Sequence, residues 1–362
     1  MIPVSEPNLS GREEEYVLDA VRSTYVSSFG PYLDKFELQF AAYVGARHAV
    51  AVSNGTAALH LALAALSLSP GDEVIVPNIT FIASANTVRL AGLVPVLADV
   101  EAQTWNLDVR SAERLITERT RAVMPVHLYG NPCDMDALRE LAERRGLILL
   151  EDAAEAIGAR FRGRHVGTFG KLGTFSFYGN KTITTGEGGV VVTDDAALAQ
   201  RMRMLKGHGM SPVRRYWFDE AGFNYRMTNV QAAIGCAQLE RIDALVALKR
   251  RNAALYDRHL SPEFGRAREQ PGGEHAHWMF TALVPATLPR DLFAERLRAQ
   301  GVDSRPFFYP LSDMPPYRGA RFELSPPIRE LAARGITLPS STLLREEQIV
   351  SICAIANQAL RG

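Results

Sequence analysis

Four short stretches of the chain carry residue types that can do chemistry. The first is Ser53-Asn54-Gly55-Thr56-Ala57-Ala58, where an apolar run gives way to a helical pattern. Free N–H groups and the positive end of a helix make such a turn an anion site. Gly55 lets an anion approach the backbone, and Thr56 adds a hydroxyl. The second is Glu151-Asp152, directly after the run Leu147-Ile148-Leu149-Leu150. The third is Ser176-Phe177-Tyr178-Gly179-Asn180-Lys181, followed by Gly186-Glu187-Gly188-Gly189. A lysine in a low-dielectric pocket has a lowered pKa and acts as nucleophile and base. The fourth is Phe81, in Asn78-Ile79-Thr80-Phe81, whose ring can stack on a flat ligand.

Singly, each has an ordinary reading: a helix cap, a surface charge, a core ring. Together they are the set that pyridoxal phosphate requires. The lysine bonds to its aldehyde, and a carboxylate keeps its ring nitrogen protonated so that the ring accepts electrons. No Cys/His cluster with metal-ligand spacing competes, and no G-x-G-x-x-G follows the first strand. No metal is expected.

These residues need a scaffold that brings strand ends together. Apolar runs predict strands at Ala49–Ser53, Glu73–Pro77, Val94–Ala98, Ala122–Val126, Leu147–Glu151, Thr174–Phe177 and Val190–Thr193. Several lack polar alternation, as strands buried on both faces do. Helical patterns lie between most of them, at Thr56–Leu68, Ile82–Ala91, Ala112–Glu118 and Asp136–Arg145. The alternation predicts an α/β fold with a mainly parallel sheet and a crevice at the carboxyl ends of its strands. A long helix is expected over Asn229–His259. A smaller α/β unit follows, with a strand at Met279–Val284, a helix at Asp291–Ala299, a strand at Asp303–Phe307 and a helix from Glu346. The expected division is an arm with an early helix (Gly11–Ser23) over 1–35, a large domain over 36–245 and a small one over 246–362.

Composition limits the partners. The 362 residues hold 40 Lys+Arg and 40 Asp+Glu, so the formal charge is zero, and 47% are apolar. A neutral chain gives no bulk electrostatic case for nucleic acid or a membrane surface. Cys133, Cys236 and Cys353 are too few and too scattered for a disulfide framework. The opening MIPVSEPNLSGREEEY lacks the basic start and apolar stretch of a signal peptide, and the run Ala57–Leu68 is too short to span a bilayer. A cytoplasmic location is expected.

SNGTAAL, EDAAEA, SFYGNKTITTGEGG and GFNYRMTN, in that order and spacing, resemble the sugar aminotransferases of the DegT/DnrJ/EryC1/StrS family. The resemblance runs nearly end to end. It implies the fold type I, aspartate-aminotransferase-like architecture of pyridoxal-phosphate enzymes. It also implies a homodimer with shared active sites, and L-glutamate as amino donor. YGNKTITTGEGG, PVHLYGNPCDM and RPFFYPL resemble most the branch that aminates C4 of GDP-4-keto-6-deoxymannose. A UDP- or dTDP-linked keto-sugar, aminated at C4 or C3, is the alternative. A pyridoxal-phosphate-binding regulator without turnover is a third reading, disfavoured by the intact Lys181 and Asp152.

Carried over by the resemblance, Lys181 binds the cofactor covalently and moves protons, and Asp152 pairs with its ring nitrogen. Gly55, Thr56 and Ser176 hold its phosphate, Phe81 stacks on its ring, and Asn224 reaches the cofactor phosphate of a neighbouring subunit. Glu155 stands near the cofactor hydroxyl, where many relatives carry Gln. Ser28, His127, Tyr129, Arg226, Phe308 and Tyr309 are the expected contacts to the sugar nucleotide. The run Arg201–Arg215 holds five Lys/Arg and no acid, which suits a diphosphate or a solvated surface.

Overall fold

The computed structural model describes residues 1–361. Its central sheet contains β1 (His48–Val52), β2 (Glu73–Pro77), β3 (Val94–Ala98), β4 (Thr120–Val123) and β5 (Ile148–Asp152). After the two-residue strands β6 (Arg160–Phe161) and β7 (Arg164–His165) it is completed by β8 (Leu172–Ser176) and β9 (Gly189–Thr193). The order is β1-β9-β8-β5-β4-β2-β3. Only β9 runs against the others. The mainly parallel α/β sheet expected from the apolar runs is therefore present.

Alternate residues of the strands feed two cores. Ala49 and Ala51 face one, with Phe36, Phe40, Phe175 and Leu138. Val50 and Val52 face the other, with Leu61, Val74, Val88 and Met202. Helices cover both faces, which explains why these strands lack polar positions. Asn54 begins the helix Gly55–Ala65 by accepting the Ala57 N–H through its side chain at 2.8 Å, and Asp134 does the same for Ala137 at 3.1 Å.

The later part of the chain adds β10 (Gly273–Glu274), which completes a small sheet in the order β10-β6-β7, and a third sheet in the order β11 (Phe280–Leu283), β13 (Gly335–Leu338), β12 (Arg305–Pro306). The helices Arg290–Ala299 and Glu346–Ala359 pack there through Phe293, Leu297, Ile349 and Ile352.

Several elements differ from expectation: the helix expected at Ala112–Glu118 lies at Val109–Arg114, and the strand expected at Ala122–Val126 lies at Thr120–Val123. The long helix is two, Asn229–Leu239 and Ile242–His259. No Gly or Pro breaks it. Glu240 instead accepts the Tyr16 hydroxyl, and Arg241 reaches Asn8 at 3.3 Å and Glu13 at 3.8 Å, so the early helix pins the junction. A further helix, Pro31–Val44, crosses the expected boundary at residue 35. It starts at Gly30, whose φ of 151° is open to glycine, with Pro31 preset at the first turn. The strand expected at Asp303–Phe307 pairs only over Arg305–Pro306. The three cysteines are buried and free. No helix among the described residues is long and apolar enough to cross a membrane.

Candidate active site

A cavity of about 710 Å³ opens at the carboxyl ends of β1, β2, β5 and β8. Gly55, Thr56, Phe81, Asp152, Glu155, Ser176 and Lys181 all line it. Of the residues expected at the cofactor, only Asn224 lies elsewhere.

Among the described residues, the N–H groups of Gly55 and Thr56 have no hydrogen-bond partner. They are the first two donors of the helix and point their partial charge at the cavity end. The turn is tight: a Cβ on Gly55 would lie 2.8 Å from the Ser176 Cβ. Any side chain there would push apart the two elements that frame the anion site.

Asp152 ends β5 with its carboxylate buried. It accepts the Ser84 hydroxyl at 2.7 Å and the Ala154 N–H at 3.1 Å. Burial raises its pKa, and these two bonds, then Lys181, oppose the rise. Lys181 follows β8 through a turn closed by its N–H on the Tyr178 carbonyl at 2.9 Å. Its amine sits 3.7 Å from the centroid of the Trp278 ring. Burial lowers its pKa, although Glu155 and Asp152 pull the other way. An amine so placed spends more time deprotonated, the form that attacks carbonyls and accepts protons.

Glu155 accepts the Tyr129 N–H at 2.7 Å. Burial pushes its carboxyl up to about 7, against the pull of Lys181 and of that bond. The folded chain thus holds a proton that the unfolded chain gives up near the ordinary value of 4.5. By linkage, Glu155 costs stability progressively as pH rises from 4.5 to 7. Glu155→Gln removes that slope. The melting temperature of the apoprotein variant, relative to wild type, is expected to climb between pH 5 and pH 8. Parallel melting curves across that range would overturn the assignment.

One wall of the cavity is aromatic. Tyr129, held at a φ of 52°, stacks between Trp278 (5.8 Å, 16°) and Phe308 (5.3 Å, 9°). Phe81 lies 6.1 Å from Phe308. Sequence reasoning missed Trp278, Ser84 and Asn180. The one signal for Trp278 was its place just before the expected strand at Met279.

The remaining expected contacts scatter. His127 does not line the cavity. Its Nδ1 accepts the Cys133 N–H at 3.0 Å and its Nε2 lies 3.1 Å from Glu151, so neither nitrogen is left for a substrate. Glu151 also takes the N–H groups of Gly167 (2.6 Å) and Gly170 (2.7 Å). Adjacent strand residues face opposite sides, so Asp152 meets the cavity while Glu151 binds His127 behind it. Tyr309 is half exposed, with its hydroxyl 3.3 Å from Arg290 rather than in the cavity. Ser28 and Arg226 line a second hollow of about 510 Å³. Asn224 accepts from Arg226 at 3.0 Å. The basic run is not a free patch: Arg201 pairs with Glu220, and Arg203 and Lys206 share Glu37.

The sequence profile of the DegT/DnrJ/EryC1/StrS aminotransferase family matches residues 7–356. The chain belongs to this family. A GDP-perosamine synthase of Caulobacter vibrioides is 48% identical, with 99% of this chain and 98% of that one covered. One of Escherichia coli O157:H7 is 46% identical over the same shares. Among solved structures, Helicobacter pylori PseC, an aminotransferase involved in the biosynthesis of pseudoaminic acid, superposes with a TM-score of 0.94 at 26% identity, covering 99% of each chain. S. venezuelae DesV gives 0.91 at 37% identity, covering 97% and 95%. The architecture is thus that of the pyridoxal-phosphate sugar aminotransferases, and the enzyme depends on that cofactor. The residues present suit it: two unpaired N–H groups for a phosphate, a buried carboxylate, and a half-buried lysine whose amine has a lowered pKa. Among the described residues no group of three Cys, His, Asp or Glu could hold a metal ion.

Proposed function

We propose that this enzyme moves the amino group of L-glutamate to C4 of GDP-4-keto-6-deoxymannose, yielding GDP-perosamine and 2-oxoglutarate. The observation that carries the substrate is the 43–48% identity, over nearly whole chains, to three enzymes named GDP-perosamine synthase. A UDP-N-acetyl-3-dehydro-glucosamine 3-aminotransferase is 39% identical over a smaller share of the chain.

The cavity supports a role for each lining residue. Gly55, Thr56 and Ser176 would hold the cofactor phosphate, Phe81 would cover its ring, and Asp152 and Glu155 would meet its nitrogen and its hydroxyl. When bound, pyridoxal phosphate supplies an electron sink for the carbon that loses a proton. Lys181 takes the proton from the α-carbon of glutamate and, in the second half, delivers one to C4 of the sugar. Asp152 would hold its carboxylate toward the ring nitrogen and favour the protonated ring, an attraction that low dielectric strengthens. Tyr129 and Phe308 present an aromatic wall to the sugar and exclude water.

The working unit in this reading is a homodimer in the cytoplasm, serving polysaccharide biosynthesis. The hollow around Ser28 and Arg226, with Phe29 73% exposed beside it, is the surface that meets the partner, and Asn224 reaches the partner's cofactor phosphate. The expected divisions after residues 35 and 245 both fall inside helices, Pro31–Val44 and Ile242–His259, so the arm and the small domain join the large one through continuous helices.

A panel experiment tests the substrate. Enzyme carrying pyridoxamine phosphate is mixed with GDP-, UDP- and dTDP-linked 4-keto-6-deoxyhexoses, and return of the aldehyde-form absorbance is followed. The GDP sugar is expected to react fastest, by about tenfold or more. Response to a UDP or dTDP sugar alone would remove the GDP reading. Failure of glutamate to produce the amino form in a single turnover would mark a binder rather than a catalyst.

A further inference from the structure

The helix Ile242–His259 lies behind the cavity and carries a lysine that the reaction above does not use. Lys249 is 3% exposed. Its amine donates to the carbonyls of Trp278 (2.9 Å) and Ser340 (2.6 Å). No carboxylate pairs with it among the described residues, and burial alone lowers its pKa to about 7.

The same face of the helix holds two more donors. Asn252 donates to the Ser341 carbonyl at 2.9 Å, and the Tyr256 hydroxyl to that of Pro339 at 2.7 Å. Positions 249, 252 and 256 lie on one stripe of a helix. The row thus satisfies three successive carbonyls just after β13 ends, where no strand partner takes them. Buried carbonyls left unpaired are costly, so this row anchors the segment.

Lys249 differs from its two neighbours because it also grips the cavity wall. Trp278 is held at three points: its N–H on the Tyr129 carbonyl (3.1 Å), its indole N–H on the Asn180 carbonyl (2.8 Å), and its own carbonyl on Lys249. Asn180 precedes Lys181, and the Trp278 ring packs against the Lys181 amine. A methionine would fill the space of Lys249 without the cost of burying an amine. What it would lose is the bond between the Trp278 backbone and the anchored segment.

We propose that Lys249 is a positioning residue for the reaction: by tying the Trp278 carbonyl to the Pro339–Ser341 segment it fixes the indole ring that packs on Lys181. The proposal rests on reading the Lys181 cavity as the reaction site, and goes beyond it by assigning the placement of Lys181 to a residue outside the cavity.

The chain has three tryptophans, Trp105, Trp217 and Trp278, so 5-fluorotryptophan labelling gives three ¹⁹F lines, with Trp278→Phe identifying its own. In full-length apoprotein, Lys249→Met is expected to displace or broaden the Trp278 line and leave the other two in place. In the loaded enzyme the glutamate half-reaction is expected to slow about tenfold or more, since small misplacements of reacting groups are costly. Asn252→Leu is the control, because it loses a tie to the same segment but none to Trp278. It is expected to keep the Trp278 line and a rate within about twofold of wild type. Should Lys249→Met fail to fold, Lys249→Gln, too short to span both carbonyls, carries the same readouts. A wild-type Trp278 line and rate in the Lys249 variant would overturn the proposal, as would equal changes in Asn252→Leu. The ¹⁹F line is read without cofactor or sugar, so an error in the substrate assignment leaves it unaffected.

Discussion

Lys181→Ala is expected to lower turnover by about 10⁴-fold, the upper range for loss of a positioned proton-transfer group. It should also abolish the absorbance of the covalently held cofactor. The amine has no substitute nearby. Lys249, which is fully buried, is bonded to two carbonyls behind the wall and does not line the cavity. Arg305 reaches the cavity but cannot deprotonate. The cofactor should still bind, because in the proposed arrangement its phosphate would rest on Gly55, Thr56 and Ser176 rather than on Lys181. Small primary amines added to the variant are expected to restore part of the rate, since the cavity left by the side chain opens where the proton must move. A Lys181→Ala enzyme that transaminates within tenfold of wild type would falsify the assignment.

The parts of this site that sequence could foretell are those carried by a single strand end. Asp152 and Lys181 each follow an apolar run buried on both faces, and the runs at Glu73–Pro77 and Val94–Ala98 appear with the bounds that the pattern predicts. Such strands are legible because nothing polar interrupts them. Features set by packing between distant segments were not legible. Trp278 enters from beyond the helix pair, and its placement depends on carbonyls near Ser340. His127 shows the opposite failure: it follows a strand as expected, but the chain turns there and sends its ring to Glu151. The helix junction at Glu240 has no local breaker, and only contacts with Asn8, Glu13 and Tyr16 produce it. The anchoring row of Lys249, Asn252 and Tyr256 has regular helical spacing, yet spacing alone cannot tell a carbonyl-binding stripe from a mixed surface.

The second large effect is expected from Asp152→Asn, which keeps shape and removes charge. With its oxygen in the Oδ1 place the amide still accepts the Ala154 N–H, and its NH2 in the Oδ2 place donates to the Ser84 hydroxyl, which turns to accept, so the local geometry should hold. Cofactor content is expected to stay near wild type while kcat falls about 10³-fold, because a neutral amide no longer holds the ring nitrogen protonated. Stability should move the other way. Burial raises the pKa of Asp152, so its ionised form is costly in the folded chain. A carboxyl with a raised folded pKa contributes a destabilisation that is absent at low pH, where both states are protonated, and that grows as pH rises. The apoprotein variant is therefore expected to melt above wild type at pH 8 and to lose that advantage as pH falls towards 4. Loss of activity with a gain in stability is the pattern of a charge kept for chemistry rather than for folding. An Asp152→Asn enzyme with an unchanged rate would show that the carboxylate does not act on the ring. An apoprotein no more stable than wild type at pH 8 would show that its burial costs the fold nothing.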